Sequence, residues 1–314
     1  MSRSVFIYLA LRRRSTARDV FPIFAITGST AAGFQVEKCG ELTFDPIREI
    51  YAYAGDGTRL RYVKWSGPKE VGVILIHSLA MDSSFWAPVA AKLAHVCPLI
   101  AVDCRGHGLS DKPDTPYSVE TFADDLIAVL DNAGWEKAVV AGASMGGCVA
   151  LAFAAAHADR CAGLGLFDTT SWYGPKAPAQ WDERAQKALD NGMSSLVEFQ
   201  KTRWFSDTFR LKHPEIVDSC VATFLRNDVA AYARTCRMLG AVDLRSALPG
   251  ITIPTRIAVG EEDYATPPVM AEAMRADISN AKLHVISGGR HFTPLERPDL
   301  IAEELKKLVE EAQP

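Results

Sequence analysis

The segment spanning residues 139–153 constrains the fold of this chain more than any other. The apolar residues 139–141 lead into Gly142-Ala143-Ser144-Met145-Gly146, and a helix-forming sequence continues to Phe153. A serine flanked by glycines between a strand and a helix is typical of a nucleophile elbow, because glycine lacks the Cβ that would clash in so tight a turn. The pattern predicts that the Ser144 hydroxyl projects from a sheet edge, beside the N–H groups of a helix N-terminus. An ordinary glycine-rich turn also fits these five residues, so the rest of the chain must distinguish between the two interpretations.

Strands and helices alternate around this segment. Short apolar runs such as residues 72–76 are typical of strands covered on both faces of a parallel sheet. Residues 120–133 repeat apolar side chains at helical spacing, which predicts an amphipathic helix. The order predicts an α/β fold with a doubly wound, mostly parallel sheet flanked by helices. Strands are predicted at residues 49–54, 59–65, 72–76, 99–103, 139–141, 163–167, 255–259 and 282–286, and further helices at 84–95, directly after Ser144 and at 298–311.

The alternation is interrupted between residues 169 and 247, which predict helices and contain no convincing buried strand. Ligands of such sheets bind at the carboxyl ends of the strands, where this insertion is expected to lie. We therefore predict a helical cap at residues 169–247 over a core formed by residues 41–168 and 248–314. Residues 1–40 are predicted to be a disordered extension or the product of a start codon placed too far upstream. Their apolar run precedes Arg12-Arg13-Arg14, the reverse of the order in a secretory signal, and their Arg and Ser content weakly resembles a transit peptide.

Composition excludes several classes of protein. The 314 residues are 48% hydrophobic and 23% charged, as in an ordinary globular protein. A formal net charge of −4 argues against nucleic acid or an anionic membrane as a partner. Seven cysteines without Cys-x-x-Cys spacing favour a reducing, cytoplasmic location over a disulfide framework or a zinc site. Nucleotide-dependent and metal-dependent chemistries fit less well, because no phosphate-binding glycine motif and no His-Glu-x-x-His motif occurs.

A serine hydroxyl needs an adjacent base to act as a nucleophile at neutral pH. His291 is the preferred base, because it lies in a glycine-containing loop after the last predicted strand. His107 lies in Arg-Gly-His-Gly and fits a turn that holds neighbouring loops. His77 lies at the end of a strand close to the expected site, and its chain position separates it poorly from His291.

The base in turn needs a carboxylate that holds its tautomer and stabilises the imidazolium. Asp263 follows the strand at residues 255–259. In folds with such an elbow, the nucleophile, the acid and the base follow one another along the chain, as Ser144, Asp263 and His291 do here. Asp168 is the rival acid, because it follows the strand after the elbow. Glu261 and Glu262 are further candidates that fit a solvated loop better.

Acyl transfer also requires hydrogen-bond donors for an oxyanion. The backbone N–H of Met145, the residue after the nucleophile, is predicted to supply one of them. The second is expected from the loop after Ile76, where the N–H of Leu79 is the preferred donor. Because backbone groups serve here, the identity of these side chains matters little.

Together these features resemble the α/β-hydrolase family over residues 48–311. The resemblance is carried by His77-Ser78, Asp103-Cys104-Arg105-Gly106-His107-Gly108, the elbow, Gly260-Glu261-Glu262-Asp263 and His291. A narrower resemblance is to the 3-oxoadipate enol-lactone hydrolases. It rests on residues 77–82 with Phe85-Trp86, residues 168–175, residues 180–184, Arg203-Trp204-Phe205 and Asp243-Leu244-Arg245. The chain departs from the narrower pattern at His77 and Ala80.

The resemblance implies an α/β-hydrolase fold and a serine hydrolase that opens a lactone or cleaves a carboxylic ester through an acyl-enzyme, without metal or organic cofactor. The implied partner is a small lactone or ester that carries a carboxylate. Trp86, Trp172, Arg203 and Trp204 are the candidate substrate-binding residues. The Arg203 guanidinium and the indole N–H groups of Trp172 and Trp204 suit an anion. Equally, the tryptophans can simply pack the cap, and Arg203 can be a solvated helix residue.

Several other functions fit the same residues. A C–C bond hydrolase of a ring-cleavage dione and a general carboxylesterase would use the same three side chains. A haloalkane dehalogenase is disfavoured, because its nucleophile would be an aspartate where Ser144 stands. From a different class, a non-catalytic ligand receptor would keep the pocket and bind a lactone with little or no turnover.

Overall fold

The computed structural model describes residues 24–27, 35–38 and 50–312, in two compact units, Met1–Arg48 and Glu49–Pro314. In the first unit, strands β1 and β2 pair antiparallel, with Phe24 opposite Lys38. They fall where we predicted a disordered extension; the rest of that prediction lies outside the described residues. The strands are β1 (Phe24–Thr27), β2 (Gln35–Lys38), β3 (Ile50–Tyr53), β4 (Arg59–Trp65), β5 (Gly72–Ile76), β6 (Leu99–Val102), β7 (Ala138–Ala143), β8 (Cys161–Phe167), β9 (Thr255–Gly260) and β10 (Ala281–Ile286).

The second unit is built on one eight-stranded sheet in the order β10-β9-β8-β7-β5-β6-β4-β3. Strand β4 runs antiparallel to both β3 and β6, and all other neighbours are parallel. Every residue of β5, β6, β7, β8 and β9 is buried, which explains their nearly continuous apolar sequences. The predicted mostly parallel sheet is therefore confirmed.

The register of the parallel strands brings their carboxyl ends together. Ile76 of β5 lies opposite Gly142 of β7, and the next residue of β7 lies opposite Phe167 of β8. At the far edge, Gly260 of β9 lies opposite Ile286 of β10. The loops that follow these strands therefore meet along one edge of the sheet, as the sequence predicted.

Helices flank the sheet, with α1 packed against α11 and α2 against α3. The predicted helix at 120–133 is α2, which begins where the Ser118 hydroxyl accepts a hydrogen bond from the Thr121 N–H. It ends at Ala133 and is followed by Gly134, whose φ of 72° is costly for residues with a Cβ. The α-helices are α1 (Ala87–Leu93), α2 (Val119–Ala133), α3 (Met145–Ala156), α4 (Ala177–Asn191), α5 (Val197–Trp204), α6 (Asp207–Lys212), α7 (Pro214–Leu225), α8 (Val229–Ala241), α9 (Pro268–Asp277), α10 (Thr293–Glu296) and α11 (Pro298–Glu311).

The helix predicted at 84–95 differs from the structure. The segment begins as a 3₁₀ turn over Ser83–Trp86, capped by the Asp82 carboxylate, and continues as the shorter helix α1. Pro88 stands at the second position of α1, where its missing N–H costs nothing. The proline therefore marks the start of the α-helix after the 3₁₀ turn.

Helices α4 to α8 lie between β8 and β9, within the segment predicted to form the cap. The two ends of this insertion are joined, because Trp172 and Asp243 form an antiparallel bridge and the Leu244 N–H donates to the Ser171 carbonyl at 2.9 Å. The insertion thus leaves and rejoins the sheet at one place. Within the described ranges, no helix combines the length and apolar character needed to cross a bilayer.

Candidate active site

Ser144 occupies a strained turn between β7 and α3. Its backbone has φ 52° and ψ −115°, a left-handed region that side chains with a Cβ avoid. A Cβ on Gly142 would lie 2.0 Å from the Gly146 carbonyl oxygen, and one on Gly146 would lie 2.2 Å from the Ile76 carbonyl oxygen. The Ser144 N–H donates to the Phe167 carbonyl at 2.9 Å, which ties the turn to β8. The glycines of the elbow are therefore required by close backbone approach.

Ser144, His291 and Asp263 are connected by hydrogen bonds. The His291 Nε2 lies 2.9 Å from the Ser144 Oγ, and its Nδ1 lies 2.8 Å from the Asp263 Oδ2. All three residues are buried. Since a carboxylate only accepts hydrogen bonds, the His291 Nδ1 carries the proton and its Nε2 is free to accept the hydroxyl proton. This is the arrangement that a general base requires.

The surroundings of Asp263 favour its ionised form. Burial alone would raise the pKa of this carboxyl, but His291 and the hydrogen bonds from Thr266 outweigh it and lower the pKa below the ordinary value. The backbone N–H groups of Ala265 and Thr266 donate at 2.7 and 3.0 Å, and the Thr266 hydroxyl donates at 2.9 Å. A charged Asp263 can therefore stabilise an imidazolium at His291.

Asp168, the rival acid, has no hydrogen bond to His291 among the described residues. Its carboxylate accepts hydrogen bonds from the Gly260 N–H at 3.0 Å and from the N–H and hydroxyl of Thr293 at 3.0 and 2.6 Å. Burial, reinforced by the charge of Asp263, raises the pKa of Asp168 well above its ordinary value. The surroundings thus shift the pKa values of these two neighbouring carboxyls in opposite directions.

The rival histidines are engaged elsewhere. The His77 Nδ1 lies 2.8 Å from the Ser78 carbonyl, and its Nε2 accepts from the Cys104 N–H at 3.1 Å. The His107 Nδ1 lies 3.0 Å from the Arg105 carbonyl. Burial lowers the pKa of both rings, that of His107 to about 3. Both rings are therefore neutral, and they form hydrogen bonds with the backbone of the loops beside the sheet edge.

The two rival glutamates lie on the surface of the same edge. Glu261 accepts hydrogen bonds from the Ser287 hydroxyl at 2.8 Å and from the Gly288 N–H at 3.1 Å. Glu262 pairs with the Arg290 guanidinium at 3.1 Å. Both side chains are exposed and hold the loops after β9 and β10 together.

The two expected oxyanion donors are free in the described part of the chain. Neither the Leu79 N–H nor the Met145 N–H donates to another described residue, and Met145 is the first residue of α3. Ala80 has a left-handed φ of 61° next to Leu79. Its carbonyl accepts a hydrogen bond at 2.8 Å from the Asn227 side chain, which lies between α7 and α8. The insertion therefore supports the loop that presents Leu79.

A narrow cavity lies between this edge and the insertion. The core contributes Ser78, Leu79, Ser144, Thr266 and His291, and the insertion contributes Tyr173, Trp181, Arg184, Gln200, Arg203 and Trp204. Two of the four expected substrate-binding residues, Arg203 and Trp204, are thus in the cavity wall. Trp204 also stacks on Phe292, with ring centroids 5.1 Å apart.

Trp86 and Trp172 do not line this cavity, contrary to our expectation. Trp86 is fully buried and packs edge-on against Phe85 and Phe167, so it belongs to the core. The Trp172 ring lies under the Arg245 guanidinium, 3.6 Å from its centroid, at the base of the insertion. We therefore leave both tryptophans out of the proposed site.

A model of the alpha/beta hydrolase fold matches residues 72–298, well over half of the sequence. The chain belongs to the alpha/beta hydrolase family. The matched range contains Ser144, Asp263 and His291 as well as the whole inserted cap.

The relatives of this hydrolase include lactone-acting and ester-acting proteins. It is 30% identical over 240 residues to 3-oxoadipate enol-lactonase 1 of Acinetobacter baylyi, an alignment that covers 76% of this chain and 88% of the relative. The crystal structure of the enol-lactonase from Burkholderia xenovorans LB400 has a TM-score of 0.80 and 31% identity, and it covers 83% of this chain and all of that one. A thermophilic esterase from Thermogutta terrifontis, also with a TM-score of 0.80, is 26% identical, with coverages of 85% and 100%. The narrower resemblance to enol-lactonases is therefore confirmed.

Sequence reasoning missed several cavity residues of this hydrolase. Arg184, Gln200, Tyr173 and Trp181 were not assigned to the site. A signal was present, because Trp181 and Arg184 are three residues apart, and Gln200 is three and four residues before Arg203 and Trp204. Such spacings place side chains on one face of a helix, and each face contains a cation beside an aromatic ring.

Proposed function

We propose that this protein is a serine hydrolase that opens a lactone or cleaves a carboxylic ester through an acyl-enzyme. The observation that carries the proposal is the hydrogen-bonded series from Ser144 through His291 to Asp263, with distances of 2.9 and 2.8 Å. The series lies under the cap and faces a cavity, where a reacting carbonyl can be held away from bulk water. Membership of a hydrolase family supports the same reaction class.

In the proposed reaction, the Ser144 oxygen attacks the carbonyl carbon while the His291 Nε2 takes its proton. The negative oxygen of the tetrahedral intermediate is held by the N–H groups of Leu79 and Met145. The intermediate collapses, the C–O bond of the leaving group breaks, and His291 returns the proton to the leaving oxygen. His291 then activates a water molecule that releases the acid and restores Ser144. Asp263 stays ionised throughout and stabilises the imidazolium.

The proposed substrate class is an enol-lactone that carries a free carboxylate. Relatives at 30% and 28% identity are named 3-oxoadipate enol-lactonases, which supports this class over other esters. Ring opening of such a lactone expels an enol, and the enol tautomerises to a ketone. The departing enol oxygen is a good leaving group because its negative charge is delocalised, and the later tautomerisation draws the reaction towards the open product.

The test is to assay the purified protein against an enol-lactone, a p-nitrophenyl ester and a ring-cleavage dione. We expect Ser144→Ala to lower kcat at least about a thousandfold, because the members of such a triad act as a unit. Ser195→Ala is the matched control, since this serine is exposed on the cap and donates only to the Gly192 carbonyl at 2.7 Å. Wild-type protein should also form a covalent fluorophosphonate adduct at Ser144.

The outcomes separate the competing functions. Fast turnover of the dione alone would favour a C–C bond hydrolase, and broad ester turnover without a lactone preference would favour a general carboxylesterase. Tight lactone binding without turnover would identify a receptor. Unchanged turnover in the Ser144→Ala variant would remove this serine from the proposed role.

We also propose that the protein works in a reducing compartment, the cytoplasm. The six cysteines within the described residues are all buried and unpaired. Burial raises the pKa of each of these thiols, that of Cys161 to about 12, so they are held in the unreactive protonated form. They therefore behave as small apolar core residues.

A further inference from the structure

Two guanidinium groups of the cap face the cavity without a carboxylate partner. Arg184 of α4 and Arg203 of α5 line the same space as Ser144 and His291. Among the described residues, no Asp or Glu lies within ion-pair distance of either group. The five other arginines of the cap each pair with an aspartate: Arg210 with Asp207, Arg226 with Asp82, Arg234 with Asp114, Arg237 with Asp182 and Arg245 with Asp243. The two unpaired arginines are therefore those that face the cavity.

Neutral groups hold the two arginines in position. The Arg184 Nε donates to the Tyr232 hydroxyl at 2.7 Å, and its guanidinium carbon lies 4.9 Å from the centre of the Trp181 ring. The guanidinium carbon of Arg203 lies 5.6 Å from the centre of the Phe199 ring. Aromatic faces attract a cation and orient it, but they leave its charge uncompensated. Both groups thus remain free to bind an anion.

The electrostatic setting favours such an anion. Burial and the charge of Arg184 lower the pKa of Arg203 to about 10, because two cations repel each other where water is scarce. Charges that are removed from water are normally paired, and neither guanidinium group has a carboxylate partner among the described residues. An anion placed between the guanidinium groups would relieve both the desolvation and the repulsion.

Gln200 adds an independent observation. Its side chain is only 1% exposed, it lines the same cavity, and its Oε1 has no hydrogen-bond partner among the described residues. Buried amide atoms are almost always hydrogen-bonded in folded proteins, and an amide oxygen accepts, so this atom suits an N–H or O–H group of a ligand and not its carboxylate. Gln200 lies one helical turn before Arg203 on α5, so both side chains project from one face of the helix towards the space where a polar ligand would fit.

We propose that Arg184 and Arg203 form an anion subsite that holds a carboxylate of the acyl substrate in the cap. The inference rests on the proposed function for the other end of the cavity, where Ser144 attacks the scissile carbonyl. It goes further by assigning two guanidinium groups to one carboxylate. A carboxylate offers two oxygens to such a pair, and planar guanidinium groups match that geometry better than ammonium groups. The substrate is thus selected by a negative group at a distance from the bond that breaks.

The decisive experiment compares two esters that differ only in charge. One is the mono-p-nitrophenyl ester of glutaric acid, and the other is p-nitrophenyl 5-methylhexanoate, in which an isopropyl group replaces the carboxylate. We expect the wild-type kcat/KM to favour the charged ester at least about tenfold. Arg184→Gln and Arg203→Gln should each lower this ratio about tenfold or more, mainly through KM, and Arg203→Lys should recover part of it.

The matched control is Arg237→Gln, which removes an exposed cap arginine that pairs with Asp182 at 2.7 Å. It should leave the ratio at the wild-type value. Thermal unfolding of every variant identifies a loss of folding, and Arg184→Lys provides a second variant if Arg184→Gln is unstable. A ratio that is the same in wild type and in both folded arginine variants would overturn the subsite while leaving the hydrolase proposal intact.

A binding measurement separates the subsite from catalysis. Glutarate is titrated into the Ser144→Ala protein by calorimetry, with and without the Arg203→Gln change. We expect Kd to rise at least about tenfold in the double variant, even if neither ester is turned over by wild-type protein. That result would support the subsite and count against the proposed hydrolysis. Equal glutarate affinity in the two proteins would overturn the subsite.

Discussion

The Asp168 carboxylate accepts two hydrogen bonds from Thr293, from its N–H at 3.0 Å and from its hydroxyl at 2.6 Å. Thr293 lies two residues after His291. The same carboxylate accepts a hydrogen bond from the N–H of Gly260, three residues before Asp263. One buried side chain at the end of β8 therefore ties together the two segments that carry the proposed base and the proposed acid. We interpret Asp168 as a positioning residue.

The distinct roles of the two acids can be tested by the same substitution at each. Asp263→Asn should lower kcat about a thousandfold to ten-thousandfold, because the amide no longer holds the imidazole in the required tautomer. Asp168→Asn should lower kcat only about tenfold. It should lower the free energy of unfolding by about 1–3 kcal/mol, because the amide turns an N–H group towards a backbone donor. Steady-state kinetics and urea unfolding measure the two effects.

The opposite result would reverse the assignment. If Asp168→Asn abolishes turnover while Asp263→Asn keeps it, then Asp168 is the acid that supports His291. Both variants need a melting curve beside the kinetics, so that a loss of folding is not read as a loss of chemistry.

The elbow glycines are expected to be intolerant of any side chain. Gly146→Ala would bring a Cβ to within 2.2 Å of the Ile76 carbonyl oxygen, so α3 and β5 would have to separate. We expect a loss of several kcal/mol of unfolding free energy and loss of turnover. Gly55→Ala is the matched control, since a Cβ there has no neighbour within 4 Å. Similar melting temperatures for the two variants would show that the elbow can relax.

Asn227 is expected to support the oxyanion loop from the cap. Its side-chain amide donates to the Ala80 carbonyl at 2.8 Å and to the Thr223 carbonyl at 3.0 Å. Removing it in Asn227→Ala should lower kcat/KM about tenfold and cost about 1–2 kcal/mol of stability. Asn191→Ala serves as the control, because that exposed amide donates only to the Lys187 carbonyl of its own helix. Equal kinetics for the two variants would remove Asn227 from this role.

His107 is expected to make the fold sensitive to acid. Burial, with a smaller contribution from the His77 ring, lowers its pKa from 6.5 to about 3. The folded state therefore binds this proton more weakly than the unfolded state, and stability is lost as the pH falls from 6.5 towards 3. Between pH 7 and pH 5, this histidine should account for a loss of about 2 kcal/mol.

The measurement is urea unfolding at pH 7 and pH 5 for wild type and His107→Asn. The asparagine amide can replace the Nδ1 donor to the Arg105 carbonyl, which lies 3.0 Å from the ring nitrogen, but it does not titrate. We expect the variant to lose less stability than wild type over this interval. The same pH dependence in both proteins would mean that His107 binds its proton equally well in the folded and unfolded states.

The fold was largely predictable, because its signals are local. Strand β5 matches the predicted residues 72–76, and α11 matches residues 298–311. The elbow was recognised because its glycines and its flanking periodicities lie within fifteen consecutive residues. Backbone sterics and apolar periodicity act over such short distances, so a single sequence contains them in full.

The side chains that meet Ser144 in the site were less predictable from the sequence. Asp168 and Asp263 both follow strands of the same edge, and chain order alone favoured one without showing what the other does. Trp172 and Arg184 lie twelve residues apart in one cap segment, yet only Arg184 faces the cavity. The sequence by itself determined the layered architecture and the turn that presents Ser144. Only the tertiary structure decided which distant side chains meet it, because those contacts depend on how helices rotate and pack against each other across more than a hundred residues of chain.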